Sequence, residues 1–451
     1  MLDGLMMDYP LTLTHFLMRA QALFPRAEVV SRLPDRSLHR CTYADVVRRA
    51  SRLAGALRRL GVGPGDRVAT LCWNHHAHLE AYLGVPAMGA VVHTLNLRLH
   101  PSELGYIAAH AEDQVLIVDQ SLWPLFEKFR PQVTSLEHVL VVPDGGATPS
   151  GALDYEAALA AEPAVFDFPR LDENAAAMLC YTSGTTGNPK GVLYSHRSTV
   201  LHALVCAMRD TLGAGQDDTL LPVVPMFHAA AWGLPYAAAA TGAKLVLPGP
   251  HLDPTSLLEL MAGEKVTLAA GVPTVWLGIL AALDQAPGRW DLRSVRSMVI
   301  GGAAAPAAMI DGFKRRHGLE VTHAWGMTET NPMGTLAKVK RHLAGADDAA
   351  LLKVKSSQGF PVAFVEQRHV SDDGRVLPWD GETMGELEVR GPWVARGYYG
   401  GEHLAGAFAK FWIPEAFLVV KQIPRTSTGK FLKSKLRQEY GELLMKPAPT
   451  A

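Results

Sequence analysis

One segment of the chain combines residue types that could bind a polyphosphate. Residues 181–192 read Tyr-Thr-Ser-Gly-Thr-Thr-Gly-Asn-Pro-Lys-Gly-Val and follow an apolar stretch. Glycine lets backbone N–H groups approach a ligand closely, hydroxyl groups donate to phosphate oxygens, and lysine supplies a mobile positive charge. The segment is not a Walker A loop, because Lys190 is followed by Gly191 rather than by Ser or Thr. An ordinary surface turn is the alternative, but this residue order favours a polyphosphate-binding loop.

Short apolar runs separated by helical patterns predict the framework that positions this loop. Apolar residues with helical spacing follow Thr42-Tyr43-Ala44-Asp45, which resembles a capping box with Asp in place of Glu or Gln. The predicted buried strands are Arg67–Cys72, Ala90–Leu95, Val115–Val118, Val139–Val142, Ala177–Tyr181, Lys244–Leu247 and Ser297–Ile300. Helical patterns lie at about His75–Met88, Pro254–Ala262 and Ala307–Arg316. This alternation predicts an α/β fold with largely parallel sheets.

The stretch Val266–Leu283 carries no charge over 18 residues, which is the nominal length of a membrane helix. Gly271-Val272-Pro273 interrupts any continuous helix there. We therefore predict a buried strand at Val266–Ala270, a turn, and an amphipathic helix capped by Thr274. No integral membrane segment is expected.

The pattern changes around Leu352–Arg396, where hairpin-like segments replace the alternation. Candidate strands lie at Val362–Val370 and Gly385–Arg390, with a turn signal at Asp372-Asp373-Gly374. These segments predict a smaller β-rich subdomain at about residues 350–400.

Composition and charge argue against several classes of partner. The 451 residues include 43 Lys and Arg against 44 Asp and Glu, a formal net charge of −1. This balance gives no electrostatic reason to expect nucleic acid or an anionic membrane surface as a partner. The four cysteines lie far apart without metal-ligand spacing, so we expect buried thiols in a reducing compartment and a cytoplasmic protein. Asp3 and Asp8, with no basic n-region, argue against a signal peptide.

The loop and several further motifs resemble the adenylate-forming superfamily, which includes acyl-CoA synthetases, peptide-synthetase adenylation domains and luciferases. In the order typical of that family, the further motifs are Pro225-Met226-Phe227-His228, Gly271-Val272-Pro273-Thr274, Gly301-Gly302-Ala303-Ala304, Trp325-Gly326-Met327-Thr328-Glu329, Gly385-Glu386-Leu387, Gly397-Tyr398 and Pro424-Arg425-Thr426-Ser427-Thr428-Gly429-Lys430. The resemblance covers nearly the whole chain and is strongest to bacterial medium- and long-chain fatty-acyl-CoA synthetases.

The resemblance implies an AMP-forming ligase that activates a medium- or long-chain fatty acid. The carboxylate would attack the α-phosphate of ATP to give acyl-adenylate and pyrophosphate, and the thiol of coenzyme A would then displace AMP. ATP, Mg²⁺ and coenzyme A are the implied cofactors and co-substrates, and a homodimer is among the expected assemblies. The implied organisation is an N-terminal adenylation domain of layered α/β sheets over residues 1–400, followed by a remnant of a small α+β C-terminal domain over residues 401–451.

The same resemblance assigns residues to the nucleotide and the metal. The phosphates would be held by Thr182, Ser183, Gly184, Thr185, Thr186, Gly187 and Lys190, and the adenine would be lined by Gly302, Ala303, Ala304, His323, Ala324 and Trp325. Trp325 stands where the family usually has a tyrosine, so nucleotide affinity could differ. Thr328 would contact the α-phosphate. Thr182 and Glu329 would bind Mg²⁺, because hydroxyl and carboxylate oxygens suit a hard cation.

Three residues would serve catalysis and two would line the acyl channel. Glu329, His228 and Lys430 are the implied catalytic residues, and Lys430 would bridge the acyl carboxylate and the α-phosphate. A solvated charge is the alternative for Lys430, and a structural role is the alternative for His228. Ala229 and Trp232 would line the acyl channel. The turn after His228 lacks the acidic residue that would hold the ammonium group of an amino acid, which favours a fatty acid.

The end of the chain departs from the family pattern. After Gly397-Tyr398-Tyr399-Gly400 the family continues into an aromatic-Arg-Thr-Gly-Asp motif, a hinge and most of a small C-terminal domain. Here residues 402–407 run directly into a stretch that resembles the segment before the catalytic lysine. Either the protein lacks this part or its residues are missing from the sequence, and the mass of the intact protein separates these cases.

A true loss would predict weak nucleotide binding and little thioester formation. Two alternatives to a complete ligase therefore stay open. One is a degenerate module that binds a nucleotide or an acyl group without turnover. The other is an enzyme that only adenylates the acid and passes the acyl group to a carrier protein.

Overall fold

Two sheets of mostly parallel strands organise residues 4–182 and 188–401, which are the residues that the computed structural model describes. The helices are α1 (Thr14–Leu23), α2 (Tyr43–Arg59), α3 (His76–Ala87), α4 (Pro101–Ala111), α5 (Trp123–Glu127), α6 (Tyr155–Ala160), α7 (His196–Ala207), α8 (Leu234–Thr241), α9 (Pro254–Gly263), α10 (Pro273–Gln285), α11 (Ala307–His317) and α12 (Asp348–Ser356). The strands are β1 (Glu28–Arg32), β2 (Leu38–Thr42), β3 (Arg67–Leu71), β4 (Val91–Thr94), β5 (Val115–Asp119), β6 (His138–Val142), β7 (Leu153–Asp154), β8 (Ala176–Tyr181), β9 (Gly191–Ser195), β10 (Thr219–Pro222), β11 (Lys244–Leu247), β12 (Leu268–Gly271), β13 (Ser297–Ile300), β14 (Val321–Gly326), β15 (Met333–Leu336), β16 (Phe360–Pro361), β17 (Glu366–Val370) and β18 (Glu386–Arg390).

The pairing of these strands gives the α/β fold that the sequence predicts. A nine-stranded sheet has the order β16-β15-β14-β13-β12-β10-β11-β1-β2, and a seven-stranded sheet has the order β7-β6-β5-β3-β4-β8-β9. Central pairs such as β12 with β13 and β3 with β5 are parallel, whereas β2, β9 and β15 pair antiparallel. All five residues of β5 are buried, as expected for a parallel strand that is covered on both faces.

The predicted capping box begins α2. The N–H of Asp45 donates to Thr42 Oγ1 at 3.3 Å, and the N–H of Thr42 donates to the Asp45 carboxylate at 3.0 Å. Both bonds satisfy backbone donors that have no partner inside the helix. The helix ends at Arg59, two residues before Gly61, whose φ of 90° favours glycine.

The uncharged stretch Val266–Leu283 forms a strand, a turn and a helix, as predicted. The strand is β12 and the helix is α10, which begins at Pro273. Proline suits the first helical position because its missing N–H would have no partner there. The predicted cap at Thr274 is wrong, because Val272 is the N-cap residue and no side chain caps the helix. Within residues 4–182 and 188–401, no helix combines the length and apolarity needed to cross a bilayer.

The stretch that we expected to be β-rich begins with α12 and contains a small two-stranded sheet of β17 and β18. The predicted strand Val362–Val370 forms only over Glu366–Val370. The turn at residues 372–374 leads back to an isolated bridge between Val370 and Val376 instead of joining β17 to β18. β16 pairs with β15 at the edge of the nine-stranded sheet.

A buried amide fixes the segment that leads into the Pro225–His228 motif. Asn74 Nδ2 donates to the carbonyl oxygens of Pro222 and Val224 at 2.9 and 3.0 Å. Asn74 Oδ1 accepts from the N–H of Met226 at 2.7 Å. These bonds hold the chain after β10 against the loop that follows β3, so the two sheets share one anchor near the motif. Loss of the amide would leave buried backbone groups unpaired.

Candidate active site

The ends of the glycine-rich segment are held together by the β8–β9 hairpin. Tyr181 pairs with Gly191 in the antiparallel register of these strands. One residue further, the N–H of Thr182 donates to the carbonyl of Lys190 at 2.9 Å, and the N–H of Lys190 donates to Thr182 Oγ1 at 3.1 Å. Five predicted phosphate-binding residues lie outside the described residues: Ser183, Gly184, Thr185, Thr186 and Gly187. The predicted catalytic residue Lys430 also lies outside them.

Lys190 and Glu329 meet at the ring of Tyr398. Lys190 Nζ lies 4.9 Å from the centroid of the Tyr398 ring, within the range of a cation–π contact. The Tyr398 hydroxyl donates to Glu329 Oε1 at 2.7 Å. The carbonyl of Glu329 accepts from the N–H of Ala395 at 2.7 Å. Lys190 and Glu329 are 139 positions apart in the chain, and both contact Tyr398. We call this group of three residues the Tyr398 junction.

A tyrosine on β9 holds the turn that carries Thr328 and Glu329. This turn is a 3₁₀ segment, Thr328–Thr330, that follows β14. The hydroxyl of Tyr194 donates to the carbonyl of Thr328 at 2.6 Å. Burial raises the pKa of Tyr194 well above its ordinary value, so the hydroxyl keeps the proton that it donates. The strand that leaves the glycine-rich segment thus also positions the Thr328–Glu329 turn.

A mostly apolar cleft lies beside this turn. Seven of the predicted nucleotide and acyl residues line it: His228, Ala229, Trp232, Gly302, Ala324, Trp325 and Thr328. Its other walls include Leu212, Val299, Met333 and Leu336. Among the described lining residues there is no Asp or Glu. The cleft can accept an apolar ligand and offers no acidic partner for an ammonium group.

The turn after His228 has an unusual backbone. Ala229, Ala230, Ala231 and Trp232 have φ values of 43°, 55°, 48° and 57°. A run of left-handed residues other than glycine costs roughly 1–2 kcal/mol for each residue, so the surrounding structure must hold it in place. The Trp232 indole lies against Gly301, where an added Cβ would be 3.0 Å from Cη2 of the ring. The turn therefore places the indole in the wall of the cleft beside Gly301.

The predicted adenine residues do not all face the cleft. Gly302 and Ala324 line it, whereas Ala303 is half-buried, Ala304 is exposed, and neither is among the lining residues. His323 is fully buried and is not among the lining residues. Burial lowers the pKa of His323, which favours a neutral ring. Of the predicted adenine residues, Gly302, Ala324 and Trp325 therefore line the cleft, and the His323 side chain does not.

Trp325 lines the cleft and packs on the neighbouring strand. A Cβ at Gly334 would lie 2.5 Å from Cζ3 of the indole, so the ring lies directly over this glycine of β15. The pairing of β14 with β15 shifts register between Trp325 and Gly326. A Cβ at Gly326 would collide with the carbonyl of Pro332, so this position of the motif requires glycine. The ring is held where it could stack on a flat ligand.

A second cluster contains side chains that could bind a metal. One ligand atom from each of Cys72, His75 and Asp119 lies within 4.8 Å of the others. His75 Nε2 and Asp119 Oδ1 are already joined by a hydrogen bond of 2.7 Å, and the other carboxylate oxygen accepts from the N–H of Trp73 at 2.8 Å. The N–H of His78 donates to His75 Nδ1 at 3.4 Å, so the cluster caps α3. Internal hydrogen bonds therefore account for these buried groups.

Sequence reasoning misses the residues that connect the site. Tyr398 belongs to a recognised motif that assigns it no role, and Tyr194 belongs to none of the motifs. The only signal for Tyr398 is its place after Gly397 in that motif. No local pattern indicates that either hydroxyl bonds to a residue more than 60 positions away, as both do here.

Comparison with known proteins identifies the family. The model of the AMP-binding enzyme family matches residues 17–399. A long-chain-fatty-acid–CoA ligase of Thermus thermophilus is 41% identical over 530 residues, which cover 96% of this chain and 96% of that protein. A medium-chain-fatty-acid–CoA ligase of Ectopseudomonas oleovorans is 36% identical over 539 residues, with 98% of both chains covered. Both alignments are longer than the 451 residues of this chain, so these relatives carry residues without a counterpart here.

Solved structures agree with the sequence comparison. The anthranilate CoA ligase AuaEII, in complex with anthranoyl-AMP, has a TM-score of 0.78 and 26% identity, with 87% of this chain and 73% of that chain covered. A long-chain-fatty-acid–CoA ligase from Archaeoglobus fulgidus has a TM-score of 0.77 at 23% identity, with 89% and 79% covered, and this likeness shows the shared fold. The resemblance that the motifs predict is confirmed, and the chain belongs to the AMP-binding enzyme family.

Proposed function

We propose that this protein is an AMP-forming fatty-acid–CoA ligase. One arrangement carries the proposal: Thr328 lines an apolar cleft, and its neighbour Glu329 reaches the Tyr398 junction, where Lys190 also lies. A fatty acid in the cleft would thus have its carboxyl end near groups suited to a triphosphate. Full-length relatives that are named long- and medium-chain-fatty-acid–CoA ligases support this assignment.

The first step joins two anions, so charge neutralisation is what the residues must supply. The carboxylate of the fatty acid attacks the α-phosphorus of ATP, a P–O bond forms, and pyrophosphate leaves with the electron pair of the broken P–O bond. Lys190 would neutralise charge on the β- and γ-phosphates, and Thr328 would orient the α-phosphate. Coenzyme A would then attack the acyl carbon through its thiolate, and AMP would leave.

The donor set at the junction suits Mg²⁺, which we propose as the metal. Thr182 and Glu329 offer a hydroxyl and a carboxylate, the oxygen ligands that this cation prefers. Thr182 Oγ1 accepts one hydrogen bond from the backbone of Lys190, and a hydroxyl has a second lone pair for a metal. The Tyr398 hydroxyl donates a hydrogen bond to Oε1 of Glu329 and thereby orients the carboxylate. The bound cation would supply charge neutralisation for the phosphates.

The assignment of a fatty acid as substrate is argued from the walls of the cleft. His228, Ala229 and Trp232 form one side of it, and apolar side chains complete it. No acidic residue among its described walls could pair with a substrate ammonium group. We propose that Ala229 and Trp232 contact the hydrocarbon chain and that His228 lies near the carboxyl end.

The chain organisation and the tail lysine belong to the same proposal. We propose that residues 1–400 form the adenylation domain and that residues 401–451 are the remnant of a C-terminal domain that brings Lys430 to the acyl carboxylate. The Pro424–Lys430 motif supports this role. The relatives also carry residues that have no counterpart here.

Location and assembly are further parts of the proposal. We propose a cytoplasmic location, which the four free thiols support, three of them buried. We also propose a homodimer, which the exposed apolar side chains of Leu5, Met6 and Met7 support, since a second copy could cover them. Light scattering of the purified protein tests the dimer.

Pyrophosphate exchange tests the proposed reaction. We expect radiolabelled pyrophosphate to enter ATP only when a fatty acid is present, and we expect acyl-CoA after coenzyme A is added. A panel of acids from acetate to long chains identifies the substrate class. Exchange with acetate or aryl acids but not with longer chains would contradict the fatty-acid assignment.

The family segment that has no counterpart in this chain leaves two competing functions, which the same assays distinguish. ATP or fatty-acid binding in a calorimeter without any pyrophosphate exchange would indicate a degenerate binding module. Exchange without acyl-CoA, but with acylation of a carrier protein, would indicate an adenylating enzyme that uses another acceptor. The mass of the intact protein must accompany these assays, because a species heavier than 48.7 kDa would show that residues are absent from the sequence.

A further inference from the structure

His110, at the end of α4, contacts Tyr181 and Tyr399, which lie in the two segments that lead into the Tyr398 junction. His110 Nδ1 and the hydroxyl of Tyr181 are joined by a hydrogen bond of 2.6 Å. The His110 ring also packs edge-on against Tyr399, with 5.7 Å between ring centroids. Tyr106, one helical turn earlier, stacks on the His110 ring with 5.6 Å between ring centroids. The imidazole is therefore held between its own helix and two aromatic rings.

Gly191 is the point at which these two segments touch. A Cβ at Gly191 would lie 3.1 Å from both Cζ of Tyr181 and Cβ of Tyr399. The N–H of Tyr399 donates to the carbonyl of Gly191 at 2.8 Å. Lys190 directly precedes Gly191, and Tyr398 directly precedes Tyr399. Lys190 and Tyr398 form the junction with Glu329. Gly191 therefore links the Tyr181 ring to the segment that carries Tyr398.

His110 also lies close to Gly400, in the segment that follows Tyr399. A Cβ at Gly400 would lie 3.2 Å from His110 Nε2, and the φ of Gly400 is 91°, which favours glycine. The histidine therefore contacts the start of the hairpin loop and the end of the Tyr398 segment at the same time. None of these contacts belongs to the cleft.

We propose that His110 is a positioning residue of the nucleotide site, which fixes the separation of Lys190 and Glu329 by holding Tyr181 against Gly191 and Tyr399. The inference rests on the proposed function, because it assumes that Lys190 and Glu329 act on Mg-ATP. Small displacements of such groups matter because charge stabilisation requires a defined geometry. His110 itself touches neither substrate nor metal in this scheme.

Substitution of His110 tests the proposal through ATP binding. Loss of the hydrogen bond in His110→Ala is expected to weaken ATP binding and to raise the KM for ATP by about fivefold. The KM for the fatty acid is expected to stay unchanged, since the acyl cleft is not involved. His110→Asn is expected to recover most of the affinity, because its amide places a polar atom near the position of Nδ1. A loss of packing alone would not be rescued by asparagine.

A double-mutant cycle separates positioning from general damage. Tyr181→Phe removes only the hydroxyl, and the double variant His110→Ala/Tyr181→Phe is expected to bind ATP no more weakly than His110→Ala. His15→Ala is the matched control, because His15 bonds to and stacks on Tyr9 in an exposed pair outside the cleft. All variants are compared well below their unfolding temperatures, which are measured in parallel.

The outcomes distinguish the inference from the function on which it rests. ATP affinity of His110→Ala equal to that of the wild type, or strictly additive effects in the cycle, would overturn the inference while leaving the proposed function intact. A wild-type protein that binds no ATP in the calorimeter would overturn the proposed function instead. A selective, rescued and non-additive loss of ATP affinity would support the inference.

Discussion

The hydroxyl of Tyr398 donates a hydrogen bond to Oε1 of Glu329 at 2.7 Å, so an aromatic side chain from a segment near the end of the described residues orients the carboxylate proposed to bind the metal. The same ring lies under Lys190 Nζ. One tyrosine therefore contacts two charged groups of opposite sign.

We expect Tyr398→Phe to raise the KM for Mg-ATP by about tenfold, because a hydrogen bond to a charged group contributes about 1.5–3 kcal/mol. The phenyl ring keeps the contact with Lys190, so folding should be little affected. Steady-state kinetics with varied Mg-ATP measure the change, and Tyr9→Phe is the matched control for loss of a hydroxyl. An unchanged KM for Mg-ATP would show that Tyr398 does not orient Glu329 in the working enzyme.

Glu329→Gln and Lys430→Ala are expected to impair different parts of the first step. Glu329→Gln removes the charge of a metal ligand and should raise the Mg²⁺ concentration needed for half-maximal rate. Lys430→Ala should mainly slow adenylate formation, because the lysine would neutralise charge that develops in the transition state. Single-turnover adenylation measures both, with Lys435→Ala as the control for a charge lost from the same tail. Equal adenylation rates for Lys430→Ala and wild type would show that the tail lysine is not catalytic here.

A buried ion pair in the domain core provides a stability prediction. Glu80 is fully buried and accepts hydrogen bonds from Arg49 Nε at 2.6 Å and from the Tyr155 hydroxyl at 2.7 Å. Arg49→Ala would leave the carboxylate buried without its cation and should lower the free energy of unfolding by about 3–5 kcal/mol. Urea unfolding measures the loss. Arg59→Ala is the matched control, because the Arg59–Glu162 pair is mostly exposed on the arginine side and should cost less than about 1 kcal/mol. Equal losses for the two variants would contradict the prediction.

Stability should fall as the pH drops below about 6.5, the ordinary pKa of histidine. Burial lowers the pKa of His202 to about 3 and that of His196 to about 4. Between these values and the unfolded pKa, the unfolded chain binds more protons than the folded chain, so stability present above pH 6.5 is lost as the pH falls. Urea midpoints at several pH values measure the trend. The urea midpoint should depend less steeply on pH in His202→Gln than in His100→Gln, which is the control because the His100 ring is exposed. Identical pH dependences would refute the contribution of His202.

The framework could be predicted from the sequence because its signals are local. Apolar runs such as Lys244–Leu247 and Ser297–Ile300 form strands with the expected bounds, because a strand that is buried on both faces requires a short, mostly apolar run. The Thr42–Asp45 capping box is equally local. The predicted cap at Thr274 is wrong because Pro273 is already the first helical residue, two positions before the start that a cap at Thr274 would give. The resemblance assigns Trp325 to the adenine, Thr328 to the α-phosphate and Trp232 to the acyl channel, and in the structure all three line one cleft.

The contacts that join the site could not be predicted because they link distant residues through tertiary packing. Tyr194 reaches Thr328, and His110 reaches Tyr181, across pairings that a single sequence does not reveal. The left-handed turn at residues 229–232 has no glycine until Gly233, so no local pattern predicts its backbone. The resemblance places His323 at the adenine beside Ala324, but strand alternation turns its side chain into the core.

The position of the Trp325 indole over Gly334 gives the last prediction. In Gly334→Ala the new Cβ would lie 2.5 Å from Cζ3 of the ring, so the indole must move toward the cleft that it lines. We expect weaker ATP binding by about three- to tenfold, because a flat ligand loses its stacking surface or meets the displaced ring. Calorimetric titration with ATP measures the change. Gly345→Ala is the matched control, because a Cβ there meets no atom within 4 Å. ATP affinity that is unchanged in Gly334→Ala, with the indole shown by fluorescence to have moved, would mean that the nucleotide does not stack on Trp325.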